Sequence, residues 1–299
     1  MAFYFPDTAD LPLPRGHRFP ATKYRLLREQ AMAEGLFARA GLSPSPAAGL
    51  ADLRRGHGEA FIQAVLAGTL DEESQRRIGI PWSPILLERS LATVGGSLAA
   101  ARDALCTGCA GQLAGGTHHA HRDFGSGYCV FNDLAVTALT LVAEGACRRI
   151  TILDCDVHQG DGTAAILAQA EMIQTISIHG ARNFPFRKVA SDLDIGLPDG
   201  TGDITYLSAL DTALAAVDRF RPDLLLYLSG ADVLAADRLG RLSLSPEGLE
   251  ARDLAVFRYA RMRRLPVSIA IGGGYGEPIT VTVDAYLATF RSAASTFDF

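Results

Sequence analysis

Cysteine is scarce in this sequence, and the cysteines do not form a disulfide pattern. The chain has 299 residues and only five cysteines, at positions 106, 109, 129, 147 and 155. A small secreted domain held together by disulfides would need a denser and even-numbered set. Cys106 and Cys109 form one C-x-x-C pair, but no second pair completes a four-thiolate zinc site. We therefore expect ordinary buried or reduced thiols.

Long apolar runs and an excess of positive charge are also missing. No apolar run approaches the roughly 20 residues that a membrane-spanning helix needs. The N-terminal segment carries prolines and charges where a signal peptide would have an apolar core. The formal net charge of -5 argues against a nucleic-acid-binding surface. We expect a soluble, cytoplasmic protein without nucleic-acid or membrane partners, and the sequence leaves its oligomeric state open.

What the sequence does contain is a regular alternation of helical patterns and short apolar runs. With 48% hydrophobic residues, the chain can bury a large core. The helical patterns cover residues 21–40, 50–67, 84–105, 131–146, 161–170, 203–219, 246–263 and 280–294. The apolar runs lie at 149–154, 172–178, 223–229 and 266–271. This alternation predicts an α/β fold in which helices cover both faces of a parallel sheet, as a single domain over residues 1–299.

Two acids and a histidine alternate directly after the first of these apolar runs. In an extended backbone, Asp154, Asp156 and His158 would share one face, while Cys155 and Val157 would point into the protein. Carboxylates with an imidazole are a ligand set suited to a divalent metal such as zinc. The alternative is an ordinary strand end, whose acids are solvated or cap the next helix.

Polar residues follow two further apolar runs. Asp232 comes after the run at 223–229, and the glycine-flanked Tyr275 comes after the run at 266–271. Because ligands bind at the carboxyl ends of parallel strands, we expect these residues to lie near the first cluster. Asp232 is the natural third ligand, since catalytic zinc sites usually have three protein ligands. Taken alone, Asp232 would more often be a cap or turn residue, and Tyr275 an incidental part of a glycine turn.

A long polar loop between residues 115 and 133 carries adjacent histidines. Asn132 can cap the helix that follows the loop. Because imidazole titrates near neutral pH, His118 and His119 beside a candidate metal suggest general acid–base chemistry. We interpret His121, in the same loop, as part of the loop surface.

In this order, the motifs GGTHHA, GSGYCVFND, DCDVHQGDGT, SGADVLAADRLGRLSLS and GGGYG resemble those of the zinc-dependent histone deacetylase family. The resemblance covers nearly the whole chain and looks closest to the class IV-like bacterial members. It implies the arginase/deacetylase fold, a three-layer α/β/α sandwich with a mainly parallel central sheet. It also implies a zinc-dependent amidohydrolase that removes acetyl or longer acyl groups from lysine side chains or related amines.

The resemblance also implies roles for individual residues. The zinc ligands, one ion per chain, would be Asp156, His158 and Asp232. His119 would be the general base and His118 its electrostatic partner, with Asp161 and Asp154, respectively, orienting them. Tyr275 would donate a hydrogen bond to the substrate carbonyl as it becomes an oxyanion.

Further implied sites concern the substrate and a second ion. Gly127 and Tyr128 would line the acyl-lysine tunnel. Family members often have an H-x-D-x-Y segment whose Asp holds the substrate backbone, and here Glu59 occupies that position with a longer side chain. This departure leaves room for acetylpolyamines or other small acylated amines as substrates. A monovalent cation, usually potassium, would bind at Asp154, Asp156, His158 and Ser177.

Two other functions are compatible with parts of the sequence. A two-metal, arginase-like ureohydrolase would need a second acid near Asp232, where the sequence has Gly230, Val233 and Leu234. A catalytically silent, deacetylase-like binding protein would be expected to lack Tyr275, one of the paired histidines or a zinc ligand, and none is missing. The length of the acyl group and the physiological target remain open.

Overall fold

A parallel sheet of eight strands forms the centre of the computed structural model, which describes residues 1–7 and 9–299. The strands are β1 (Ala2–Phe5), β2 (Gly41–Pro44), β3 (Cys109–Gln112), β4 (Ile150–Asp154), β5 (Ile173–Gly180), β6 (Leu193–Leu197), β7 (Leu224–Gly230) and β8 (Val267–Gly272). Their order across the sheet is β2-β1-β3-β8-β7-β4-β5-β6, and neighbouring strands pair in parallel.

The helices of the described residues are α1 (Thr22–Ala33), α2 (Leu50–Gly56), α3 (Glu59–Ala67), α4 (Glu72–Ile78), α5 (Pro84–Thr107), α6 (Asp133–Ala143), α7 (Asp161–Leu167), α8 (Asp203–Phe220), α9 (Pro246–Arg263) and α10 (Thr280–Phe297). Several have sequence-encoded starts. Ser83 and Ser245 cap α5 and α9, and each precedes a proline at the first helical position, where a missing N–H costs no helical hydrogen bond. Within the described residues, no helix combines the length and the apolarity needed to cross a membrane.

Helices cover both faces of the sheet, as the alternation of residues along β7 illustrates. Leu225 and Tyr227 belong to an apolar core shared with α8, α9 and α10. Leu224, Leu226 and Leu228 belong to a second core shared with α5 and α6. Successive residues of a strand point to opposite faces, so a strand that is apolar throughout needs a helical layer on each side. The predicted three-layer α/β/α arrangement with a parallel sheet is confirmed.

The sequence pattern located the middle of the sheet better than its edges. The four apolar runs correspond to β4, β5, β7 and β8. The predictions omitted β1, β2, β3 and β6, which have only four or five residues each, and they omitted α4. The predicted helix at 50–67 is wrong in one respect, because it is interrupted between α2 and α3.

A buried histidine explains that interruption. His57 has an extended backbone, and its ring connects α2 to the loop that carries the paired histidines. Its Nδ1 lies 3.0 Å from the carbonyl oxygen of His121, and its Nε2 accepts a hydrogen bond of 2.9 Å from the backbone N–H of Asn132. Burial lowers the pKa of His57 to about 4. The ring is therefore neutral at pH 7. Because Nε2 accepts a hydrogen bond and Nδ1 faces a carbonyl oxygen, the proton must be on Nδ1.

The central strands end side by side. In the register of the sheet, Asp154 of β4 lies opposite Leu228 of β7. Gly230 at the end of β7 lies opposite Gly272 at the end of β8. The segments that follow these three neighbouring strands therefore start from the same edge of the sheet, where ligands bind in parallel α/β folds.

Candidate active site

Three potential metal ligands converge at this edge. One ligand atom from each of Asp156, His158 and Asp232 lies within 4.8 Å of the others. The Nδ1 atom of His158 is 3.0 Å from Oδ1 of Asp156 and 3.2 Å from Oδ2 of Asp232. The turn after β4 is fixed locally, because the backbone N–H of Asp156 donates to Asp154 and that of His158 donates to Asp156. The structure thus brings together the three predicted zinc ligands.

The charges in this cluster are suited to a divalent cation. Burial and the neighbouring Asp156 raise the pKa of Asp232. Its Oδ2 is buried and has no hydrogen-bond donor in suitable geometry among the described residues. A side chain at Gly273 would overlap the same carboxylate, so the space around it is kept open by a glycine. A buried carboxylate oxygen without a partner is costly, and two carboxylates with one imidazole are ligands that zinc accepts.

The paired histidines each contact a carboxylate through Nδ1. In His118 this atom lies 2.6 Å from Asp154, and in His119 it lies 2.6 Å from Asp161. Such contacts place a proton on Nδ1 and leave Nε2 of a neutral ring as an acceptor. The predicted His–Asp contacts are therefore present in both pairs.

The two histidines have opposite protonation preferences. Burial opposes the charged form of His118, but the charges of Asp154 and Asp156 outweigh it and raise the pKa of His118 to about 9. For His119, burial and the neighbouring charge of His118 lower the pKa to about 3. Without a metal, His118 is thus cationic and His119 neutral at pH 7, so His119 is the ring that can accept a proton.

His121 does not lie on the loop surface as predicted. Its Nε2 lies 3.1 Å from Oδ2 of Asp161, the carboxylate that also contacts His119. Its ring stacks on Phe124 with a centroid distance of 4.4 Å, and only 16% of its side chain is exposed. The surface interpretation was wrong because a histidine in a polar loop gives no sequence signal of a distant carboxylate partner.

Tyr275 is held in the glycine turn after β8. Gly273 and Gly274 have φ values of +63° and +81°, a left-handed conformation that is unfavourable for other residues. The Lys23 ammonium donates to the carbonyls of both glycines, and the Asp237 carboxylate accepts the backbone N–H of Tyr275 at 2.5 Å. Burial raises the pKa of Tyr275 well above its usual range, so its hydroxyl remains a hydrogen-bond donor. Neither Lys23 nor Asp237 was among the predicted site residues.

A cavity of about 670 Å³ gives access to this site. The predicted residues that line it are His118, His119, Gly127, Tyr128, Asp156, His158 and Tyr275. Glu59 is not among the lining residues; it lies on α3, where Nε of Arg54 donates to it at 2.6 Å. Ser177 lies opposite Asp154 in the sheet, with Oγ 3.0 Å from Nδ1 of His179.

A fully buried ion pair in α9 contacts the backbone at the ends of β4 and β7. Arg252 and Asp253 are adjacent in α9 and have no exposed surface. Arg252 donates from Nε to Asp253 at 2.9 Å, and from Nη1 to the carbonyls of Cys155 and Gly230 at 3.3 and 2.7 Å. The first carbonyl directly precedes Asp156, and the second lies two residues before Asp232. One guanidinium thus fixes the backbone on both sides of the metal cluster.

Comparisons with known proteins point to one family. The histone deacetylase domain model matches residues 17–290. A histone deacetylase-like amidohydrolase of Pseudomonas aeruginosa is 30% identical over 291 residues, which cover 89% of this chain and 74% of that protein. Histone deacetylase 2 of Arabidopsis thaliana is 34% identical over 186 residues, 61% of this chain and 48% of that protein. An uncharacterized protein of Picosynechococcus sp. is 39% identical over 98% of both chains.

Together, the fold and these matches define a hydrolase of the deacetylase type, with a parallel sheet between two helical layers. The chain belongs to the histone deacetylase family.

The buried ion pair allows a test of stability. Replacing Arg252 with Met keeps much of the side-chain volume but leaves Asp253 buried without its cation. We expect the free energy of unfolding, measured by urea denaturation, to fall by about 3–5 kcal/mol. Arg102→Met is the matched control, because it breaks a half-exposed pair with Glu144 and should cost less than about 1 kcal/mol. Equal losses in the two variants would contradict the importance of the buried pair.

Proposed function

We propose that this protein is a zinc-dependent amidohydrolase that removes acetyl or longer acyl groups from lysine side chains or related amines. The observation that carries the proposal is the cluster of Asp156, His158 and Asp232, in which the buried Oδ2 of Asp232 makes no hydrogen bond and lies 3.2 Å from Nδ1 of His158. The cavity leads to this cluster and is also lined by His118, His119 and Tyr275. The arrangement combines a cation site, a proton acceptor and a hydroxyl donor around one reaction centre.

Zinc held by Asp156, His158 and Asp232 would lower the pKa of an attacking water toward about 7 and polarise the amide carbonyl. A cation bound between Asp156 and Asp232 would offset the electrostatic repulsion between their two buried carboxylates. We also propose a potassium ion near Asp154, Asp156, His158 and Ser177, supported by the register that places Ser177 beside Asp154.

The protein's own residues would move the protons. His119 is neutral and its Nδ1 is engaged by Asp161, so its Nε2 would take the proton from the attacking water. The same atom would then deliver a proton to the amine as the amide C–N bond breaks. Asp161 would stabilise the positive charge that His119 carries between these two steps.

Two other groups would stabilise the negative charge that forms on the carbonyl oxygen. The Tyr275 hydroxyl would donate a hydrogen bond to this oxygen, and one such donor is worth on the order of 3 kcal/mol. His118 would add a nearby positive charge when it is protonated, a form that its 2.6 Å contact with Asp154 favours. Lys23 and Asp237 would act indirectly, because Lys23 holds the backbone of the two preceding glycines and Asp237 holds the backbone N–H of Tyr275 itself.

An arginase-like, two-metal reaction fits the structure less well. The residues that follow Asp232 are Val233 and Leu234, which are buried in the apolar core. They offer no further carboxylate for a second ion. Within the described residues, the only group of three metal-ligating side chains found is the one formed by Asp156, His158 and Asp232.

Replacing His119 with Ala tests the proposed base. Turnover of an acetyl-lysine peptide should fall by roughly two to four orders of magnitude, because the attacking water loses its proton acceptor. The bound zinc, measured by elemental analysis, should stay at the wild-type level, since His119 is not in the ligand set. Activity close to the wild-type value would refute the assignment.

Replacing Asp232 with Ala tests the ligand set independently of catalysis. We expect loss of stoichiometric zinc after dialysis against a weak chelator, because only two of three protein ligands remain. Asp211→Ala removes an exposed carboxylate of α8 and serves as the control with unchanged zinc. If the Asp232 variant kept the zinc content of the control, Asp232 would not be a ligand.

A further inference from the structure

We propose that the preferred substrate carries acidic groups next to its acylated amine, as in an acyl-lysine flanked by Asp or Glu. This inference rests on the proposed deacylase function and specifies its substrate class. It comes from five arginines that line the cavity and have substantially exposed side chains, here called the mouth arginines: Arg18, Arg76, Arg77, Arg182 and Arg241.

The mouth arginines come from separate parts of the chain. Arg18 precedes α1, Arg76 and Arg77 lie on α4, Arg182 follows β5, and Arg241 lies between β7 and α9. Their convergence therefore does not reflect one basic stretch of sequence. It contrasts with the net charge of the chain, which is -5.

Nearby carboxylates neutralise only part of this charge. Glu72 and Glu73 pair with Arg76 and Arg77 at 3.2 and 3.1 Å. Asp199 lies 3.1 Å from Arg241 and 4.0 Å from Arg182, so one acid serves two guanidinium groups.

Arg18 adds a further positive charge. In residues 1–7 and 9–299, no carboxylate lies within ion-pair distance of its guanidinium. Five positive charges thus face three negative ones. Among the residues that the structure describes, Asp156 of the metal cluster is the only carboxylate residue that lines the cavity.

The mouth therefore offers hydrogen-bond donors and positive charge to an incoming ligand. Glu59, the acid that the sequence suggested for holding the substrate backbone, is bonded to Arg54 and Gln63 on α3. A polyamine would bring several positive charges to the mouth arginines and be repelled. Acidic side chains of a peptide would be attracted, and guanidinium groups bind carboxylates well.

Because the mouth is exposed, this preference should be moderate and sensitive to salt. In water, the attraction between two opposite charges about 8 Å apart strengthens binding by roughly twofold. Salt at about 0.15 M screens the attraction between charges that are more than about 8 Å apart. Two acidic neighbours near several arginines should therefore favour a peptide by about tenfold over one with two basic neighbours at low salt. Most of this difference should be in KM rather than kcat, since the charges act away from the reacting atoms.

The test compares two acetyl-lysine peptides that differ only in two flanking residues, Glu in one and Lys in the other, with N-acetylspermidine as a third substrate. The zinc-loaded wild-type protein is assayed for kcat/KM in low and high sodium chloride. In parallel, binding of the labelled peptides to the zinc-loaded His119→Ala variant is measured by fluorescence anisotropy. We expect the acidic peptide to be preferred by about tenfold at low salt in both measurements, with the difference largely lost at high salt.

Charge reversal identifies the residues responsible. The double variant Arg182→Glu/Arg241→Glu should lose or invert the preference. Arg148→Glu/Arg219→Glu makes the same change in net charge at exposed positions before β4 and near the end of α8, and it should keep the preference.

Equal binding of both peptides, tighter binding of the basic one, or an equal effect of the two double variants would overturn the inference. Lack of hydrolysis of all three substrates by the wild type would instead contradict the proposed function, while the binding measurement would still decide the charge preference.

Discussion

The site depends on the parallel pairing of β4 with β7. This pairing places Asp154 beside Leu228, so the turns that carry Asp156 and Asp232 begin close together at one edge of the sheet. Beyond the last paired residues, Arg252 continues the connection by donating to the carbonyls of Cys155 and Gly230. Contacts to the backbone thus hold Asp156 and Asp232 close enough to bind one metal ion, although the two residues are far apart in the sequence.

This arrangement brings several charged side chains together inside an apolar core, where an uncompensated charge would be destabilising. The two histidines, their aspartates and the carboxylates of the metal cluster are buried among hydrophobic strands and helices. Most of these groups compensate one another through short His–Asp contacts. The metal cluster is the exception, because Asp156 and Asp232 share one imidazole, that of His158, and Oδ2 of Asp232 makes no hydrogen bond. Buried carboxylates that are only partly compensated are destabilising unless they bind a cation. The same feature that weakens the metal-free fold is the one that would bind zinc.

The sequence predicted the central part of the fold and most of the residues that the structure brings together at its edge. Runs of β-branched and aliphatic residues identified β4, β7 and β8, and their polar ends pointed to Asp156, His158, Asp232 and Tyr275. The family resemblance added the contacts of His118 with Asp154 and of His119 with Asp161. Asp156, His158, Asp232 and Tyr275 could be grouped from the sequence because they closely follow strongly patterned strands, whereas His118 and His119 lie in a loop and were assigned from the resemblance.

Other features had no comparable pattern. Arg252 and Asp253 are adjacent charged residues in a helix, and such residues are usually exposed, so their burial could not be read from spacing. His121 and Lys23 acquire partners only when distant loops meet. The edge strands are too short to show periodicity, and β2 (Gly41–Pro44) has no apolar run. The mouth arginines lie on separate segments, so the chain's negative net charge gives no sign of a basic surface.

The central claim is that one zinc ion in the Asp156–His158–Asp232 cluster supports amide hydrolysis. The most direct measurement is the titration of metal-free protein with zinc while the hydrolysis of an acetyl-lysine peptide is followed. The account predicts that the rate rises in proportion to added zinc and stops rising at one equivalent per chain. A rate that stays at the background level at all zinc concentrations, or that requires two equivalents, would contradict it.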